Sequence, residues 1–345
     1  MSFSANSVIT KSRAVFGNSL TAEDYMQMCS KTSVSEICSF LRQKVRYGKA
    51  LSGVEPHTVH RGQLEMLLRG ALQDIFLRFH RFDHSKSKVL FDFIMVRQEI
   101  DLIITAIEGV SSNSSAEYIS ALPVFLIKHS KSDLLQLGTA KSFLDIERIL
   151  SGSPFIKPIR PLLIDAQESG RISINECERR LYTLYYLRCL KKIKDLFPAK
   201  EAKELKSLIL KSIDMQNVVN CCRMTMFYKM EPDNIKQTLL PFKYRLNDER
   251  LERLMSADTI EKVRQELEAA GYRTDDNASF DTVELLTESI SLDRLRKTLR
   301  MSQNSAVVYF ALTECLNIEL NNIRTIIEGI RYGLSASEIQ PMLVI

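Results

Sequence analysis

The residues with the clearest capacity for chemistry are three acids, Glu99, Asp214 and Glu319, each inside a similar apolar stretch. The third stretch runs Glu319-Leu320-Asn321-Asn322-Ile323-Arg324-Thr325-Ile326-Ile327-Glu328-Gly329-Ile330, and Glu99 to Val110 matches it without a gap. Asp214 to Arg223 is a more diverged middle copy, with Asn217 three residues after its acid. The motif residues are therefore Glu99 and Asp101, Asp214 and Asn217, and Glu319, Asn322 and Arg324. On a helix the acid and the Asn three positions later share one side. In the third copy a carboxylate beside a carboxamide suits a metal or acid–base site, but only with a His or second carboxylate nearby, and the sequence places none there. The alternative is a packing helix with a polar pin, whose buried Asn must find a hydrogen-bond partner on a neighbouring helix.

Other groups are weaker. His80 and His84 are four apart but lack the HExxH pattern, and no His is grouped with Cys in a zinc pattern. The acidic pair Asp275-Asp276 falls in a polar loop and reads as solvated. The run Arg294-Leu295-Arg296-Lys297-Thr298-Leu299-Arg300 has the charge to hold a phosphate through Arg294, Arg296 and Arg300, or an acidic partner. An exposed helix face balanced by Glu288 and Asp293 is the preferred reading. No aromatic residues alternate with the run, so nucleic acid is not expected as a partner. The P-loop pattern, GxGxxG and GxSxG are all missing, which leaves no cofactor or nucleophile motif.

The elements that would carry these residues are helical. The chain has 12 Gly and 9 Pro in 345 residues, about half the usual share of roughly 12%, and alternating strand patterns are nearly absent. Seven scattered cysteines without CxxC spacing read as free buried thiols in a reducing compartment. No secretory signal and no apolar run of spanning length are seen, so a soluble protein is expected. The net charge of +5 demands no anionic partner.

Successive acids lie 115 and 105 residues apart, which points to a threefold internal repeat. Capping signals give a second test. Ser33 with Glu36, Ser142 with Asp145, and Asp258 with Glu261 precede the three acids by 66, 72 and 61 residues. The repeats are set at 1–115, 116–235 and 236–345. Within them, Leu64, Leu68, Ala71, Ile75 and Phe79 form a core stripe, with Glu65, Arg69 and Gln73 on the wet side. Leu181, Leu184, Leu187 and Ile193 are assigned inward on a later helix, and Gly329 and Gly333 are candidate stops for the last.

The string Arg13-Ala14, Leu20, Glu23-Asp24-Tyr25, Ser33-Val34-Ser35-Glu36-Ile37, Leu41 and Tyr47 resembles the opening of the central-stalk connector family of V/A-type rotary ATPases, known as the C subunit in bacteria and archaea and the d subunit in eukaryotes. The ending Glu319 to Ile327 with Arg331-Tyr332-Gly333-Leu334 is similar to that family's final helix, and Asp214 with Asn217-Val218-Val219-Asn220 to its middle copy. The first copy departs, with Leu102 in place of the Asn, and Phe155 stands where the other copies have Tyr47 and Tyr272. The resemblance implies an all-α funnel of three similar domains with pseudo-threefold symmetry. It also implies a non-catalytic role without cofactor, contacts to rotor shaft subunits of D/F type and to the membrane rotor ring, and a peripheral place on the cytoplasmic face. The competing readings are a generic helical scaffold stacked in an open curve and a helical enzyme using the arginine run.

Overall fold

The computed structural model describes residues 3–82, 86–112, 122, 124–130, 132–274 and 280–345. His84, Asn113 to Ser115, Asp275 and Asp276 lie outside the described residues. Among the described residues the secondary structure is helical throughout, with no strand. The chain divides into two compact units, one of residues 1–87 with 199–345, the other of residues 88–198.

The first unit begins with α1 (Phe3–Gly17), α2 (Ala22–Cys29), α3 (Val34–Arg42), α4 (Gly48–Leu51) and α5 (Arg61–Phe82). After the second unit it resumes with α12 (Ala199–Met226), α13 (Pro232–Thr238), α14 (Asp248–Met255), α15 (Ile260–Ala269), α16 (Val283–Met301), α17 (Ser305–Arg331) and α18 (Ala336–Ile339). Its organising element is α17, which packs against α1, α2, α3, α5, α12, α16 and α18. Apolar residues surround most of its circumference, so Ile323, Ile326 and Ile327 are fully buried. A helix apolar all round belongs at the centre of a domain.

The second unit holds α6 (Val89–Ser112), α7 (Val124–His129), α8 (Leu134–Leu137), α9 (Phe143–Leu150), α10 (Ile156–Ser169) and α11 (Ile174–Leu196). Here α6 takes the central place against α7, α8, α9 and α11, burying Ile100, Leu102, Ile103 and Ile107. Helix α9 buries Phe143, Ile146 and Leu150, spaced as one helical face.

Local chemistry sets the helix starts. Thr21 and Asp24 form a reciprocal capping box on α2. Ser33 accepts from the Glu36 amide, and the Glu36 carboxylate accepts from the Thr32 amide at 2.8 Å. Ser142 and Asp145 repeat this arrangement, with Asp145 accepting from the Lys141 amide. The third cap is not Asp258. Thr259 has the extended backbone of a cap and accepts from the Lys262 amide, whereas Asp258 pairs with Lys262 one turn on. Glu261 lies on the exposed face, accepting from Gln265 and near Arg264. The acid at Asp258 suggested a cap, but the backbone turns into the helix one residue later.

Three further expectations change. Glu65, assigned to the wet side, is buried and lies between Arg61 at 2.8 Å and Arg324 at 3.3 Å. The two cations offset the cost of burying its charge. Leu187 is 54% exposed rather than inward, because α11 buries Tyr182, Tyr185, Tyr186 and Cys189 on its packed side instead. Gly329 does not stop α17. A Cβ there would meet Ile339 Cγ1 at 2.6 Å, so this glycine admits α18 against the helix. Gly333, at φ +74°, is the residue that ends it.

Candidate functional site

Each of the three acids lies on a long helix and fixes the backbone that leads into a short one. On α17, Glu319 is buried and accepts from the Leu20 amide at 3.0 Å and from the Tyr47 hydroxyl at 2.6 Å. Arg46 completes the joint by donating to the same carboxylate. The Arg46 side chain is only 2% exposed, and its other terminal nitrogen donates to the Val15 carbonyl at 2.7 Å. Leu20 immediately precedes Thr21, the cap of α2, so the last long helix holds the start of α2.

On α12, Asp214 is buried and accepts from the Tyr244 and Arg245 amides at 3.0 and 2.8 Å and from the Tyr272 hydroxyl at 2.6 Å. Two residues after Arg245, Asn247 caps α14. Tyr47 and Tyr272 follow the caps Ser33 and Thr259 by about one short helix and a turn. Burial pushes both phenols well above their ordinary range, and the carboxylate they face adds to the shift.

On α6, Glu99 is buried and accepts from the Ser132 amide at 3.2 Å, the Ser132 hydroxyl at 2.6 Å and the Ser130 hydroxyl at 2.7 Å. The next residue, Asp133, caps α8. Phe155 has no hydroxyl to offer, and two serines near the cap supply the side-chain donors that tyrosine gives in the other copies.

The asparagines add a second clamp. Asn217 takes the Leu240 amide at 2.8 Å and donates to the Leu240 carbonyl at 3.1 Å. Asn322 does the same with Val344, at 3.0 and 2.7 Å. The partner is an extended segment after the helix rather than a neighbouring helix. An isolated extended residue has both backbone groups unpaired, and one carboxamide satisfies both. Leu102 holds the corresponding place in the first copy and is simply buried. Asp101 lies on the outer side of α6 and accepts from the Tyr182 hydroxyl of α11. Arg324 is half-exposed beside Glu65.

Each of Glu99, Asp214 and Glu319 accepts from three protein donors. Among the described residues no group of His, Cys, Asp and Glu is arranged to hold a metal. Their chemistry is to fix backbone amides. The sequence marked the acids and asparagines but not Arg46, Ser130, Ser132 or the tyrosine hydroxyls. The recurring Tyr after each cap, in two copies of three, was the available signal. The arginine run does not form one site: Arg300 is exposed, while two of the Arg294 guanidinium nitrogens are enclosed.

Comparison with known proteins bears on this arrangement. The ATP synthase (C/AC39) subunit family model matches residues 8–342. The C subunit of the A-type ATP synthase of Archaeoglobus fulgidus is 22% identical over 349 aligned positions, covering 98% of this chain and 95% of that protein. The protein of the same name from Thermococcus onnurineus is 24% identical over 232 positions, covering 66% of this chain and 57% of that protein. No described helix is long and apolar enough to cross a membrane.

Proposed function

This chain belongs to the ATP synthase (C/AC39) subunit family, and from that premise we propose that it is the non-catalytic connector between the rotor shaft and the membrane ion-translocating ring. In this reading it rests on the cytoplasmic face of the membrane, holds the foot of the D/F-type shaft subunits, and passes torque without hydrolysing ATP itself.

The observation that carries the proposal is the order of the joints. The acid of the first repeat holds the start of the second, at Ser130 and Ser132. The acid of the second holds the start of the third, at Tyr244 and Arg245. The acid of the third holds the start of the first, at Leu20 and Tyr47. A linear stack of repeats leaves its first and last members unjoined, whereas this order returns to its beginning. In this reading three repeats, at 1–115, 116–235 and 236–345, close into a pseudo-threefold funnel. Buried charge-assisted bonds at each joint suit a part that must resist twisting, because close-packed interiors deform little under load.

Retention of the shaft subunits tests the reading. The purified chain, immobilised, is challenged with the shaft pair at low and high salt. Retention at low salt is the expected result, and failure to retain the pair at any salt would return the chain to the class of general helical scaffolds.

A further inference from the structure

Arg294 on α16 has two guanidinium nitrogens, Nε and Nη1, that are enclosed and have no hydrogen-bond partner. Its third, Nη2, stands 3.4 Å from the Ser212 hydroxyl. Buried polar groups are normally paired, and a guanidinium with two idle donors calls for a ligand. Nor is it alone. Lys211, one residue before Ser212 on α12, lies over the Tyr244 ring at 5.4 Å. Arg245 lies over the Tyr272 ring at 5.4 Å and gives one nitrogen to the Gly271 carbonyl.

These cations act on one another and on their surroundings. Burial lowers Lys211 from its ordinary value, and Arg294 and Arg245 lower it further. A hydrogen bond from Ser207, with the charges of Lys211, Arg245 and Lys203, holds the Tyr244 phenol below its ordinary value. Two carboxylates, Asp214 and Glu314, are close enough for their charge to act on Arg294. Asp214 is already taken by two amides and the Tyr272 hydroxyl, and neither acid reaches Arg294 Nε or Nη1.

We propose that Arg294, Lys211 and Arg245 form a binding site for a small oxyanion, a carboxylate or phosphate group. Arg294 presents its unpaired Nε, on the same edge of the guanidinium as the Nη2 that stands near Ser212. Lys211 and the exposed Arg245 supply charge, and the Ser212 hydroxyl adds a fourth donor group. The site is separate from the Asn clamps and does not depend on the connector role.

Calorimetric titration of the full chain with inorganic phosphate, and separately with acetate, at ionic strength fixed by sodium chloride, tests the site. Saturable one-to-one binding is expected. Preference for phosphate identifies a free phosphate or phosphoester as the ligand, and equal binding of acetate identifies a carboxylate. Lys211→Gln and Arg294→Met should each weaken binding about tenfold or more, as loss of a charged donor does. Without anion, Arg294→Met should be at least as stable as the parent, since it removes an unpaired buried cation. Heats no different from those of chloride, variants that bind as well as the parent, or an Arg294→Met protein less stable than the parent would each overturn the proposal.

Discussion

Replacing Asn217 with Leu, and separately Asn322 with Leu, separates two clamps that look alike but differ in what can escape them. Asn217→Leu strands the amide and carbonyl of Leu240, which is 3% exposed and lies between α13 and α14. Each orphaned buried group costs about 1–3 kcal/mol, so the pair costs roughly 2–6 kcal/mol. Leu240 is tethered on both sides and cannot turn to water without disturbing two helices. Asn322→Leu strands the same two groups of Val344, but among the described residues Val344 is flanked by helix on one side only. Its release exposes the two groups to water and forfeits the burial of one valine side chain, roughly 1.5–3 kcal/mol. The loss at Asn322 should therefore be the smaller one and local to the segment around Val344. Urea unfolding followed by circular dichroism gives the global change, and hydrogen exchange at the Val344 amide gives the local one. Equal global losses with a protected Val344 amide would refute the reasoning, as would no loss at Asn217.

Arg46→Met leaves the Glu319 carboxylate buried with fewer donors and should cost about 3–5 kcal/mol. Restoring neutrality with Arg46→Met/Glu319→Leu should recover part of it, and a double variant no better than the single one in chemical denaturation would contradict the buried pair. Gly329→Ala places a methyl within 2.6 Å of Ile339 Cγ1 and should cost about 1–3 kcal/mol by overpacking. Thermal unfolding should show recovery in Gly329→Ala/Ile339→Ala, and an unaltered single variant would place α18 elsewhere. Burial pushes Cys177 and Cys221 up to about 11, and Cys189 and Cys315 up to about 12, from an ordinary 9.0. Between pH 9 and 12 the unfolded chain gives up these protons first, so it binds fewer than the folded chain and stability falls as pH rises. At pH 8 all seven thiols, each buried and free, should react slowly with a maleimide until denaturant is added, and fast native labelling would count against it.

The helices were legible because apolar spacing and capping residues are local signals. Ser33 and Ser142 announce their helices within four residues, and the acid–Asn spacing announces a shared face. The joints were only half legible. Leu20 and Glu319 are 299 residues apart in sequence, and nothing near either one names the other. Glu65 reads as a surface residue because charge is normally solvated, and only the arrival of Arg324 from α17 makes its burial tolerable. Gly329 carries the marks of a helix stop because its true reason, the approach of Ile339, lies outside the helix. Arg294 reads as one of a solvated run since its neighbours at 296 and 300 face elsewhere, and its company of Lys211 and Arg245 comes from outside its own helix.

The most direct test of the connector role is ion movement by the assembled complex with and without this chain. Membranes holding the complex without it should hydrolyse ATP with no ion transport, and adding the purified chain should restore transport in proportion to its binding. Transport at full rate in its absence would contradict the account.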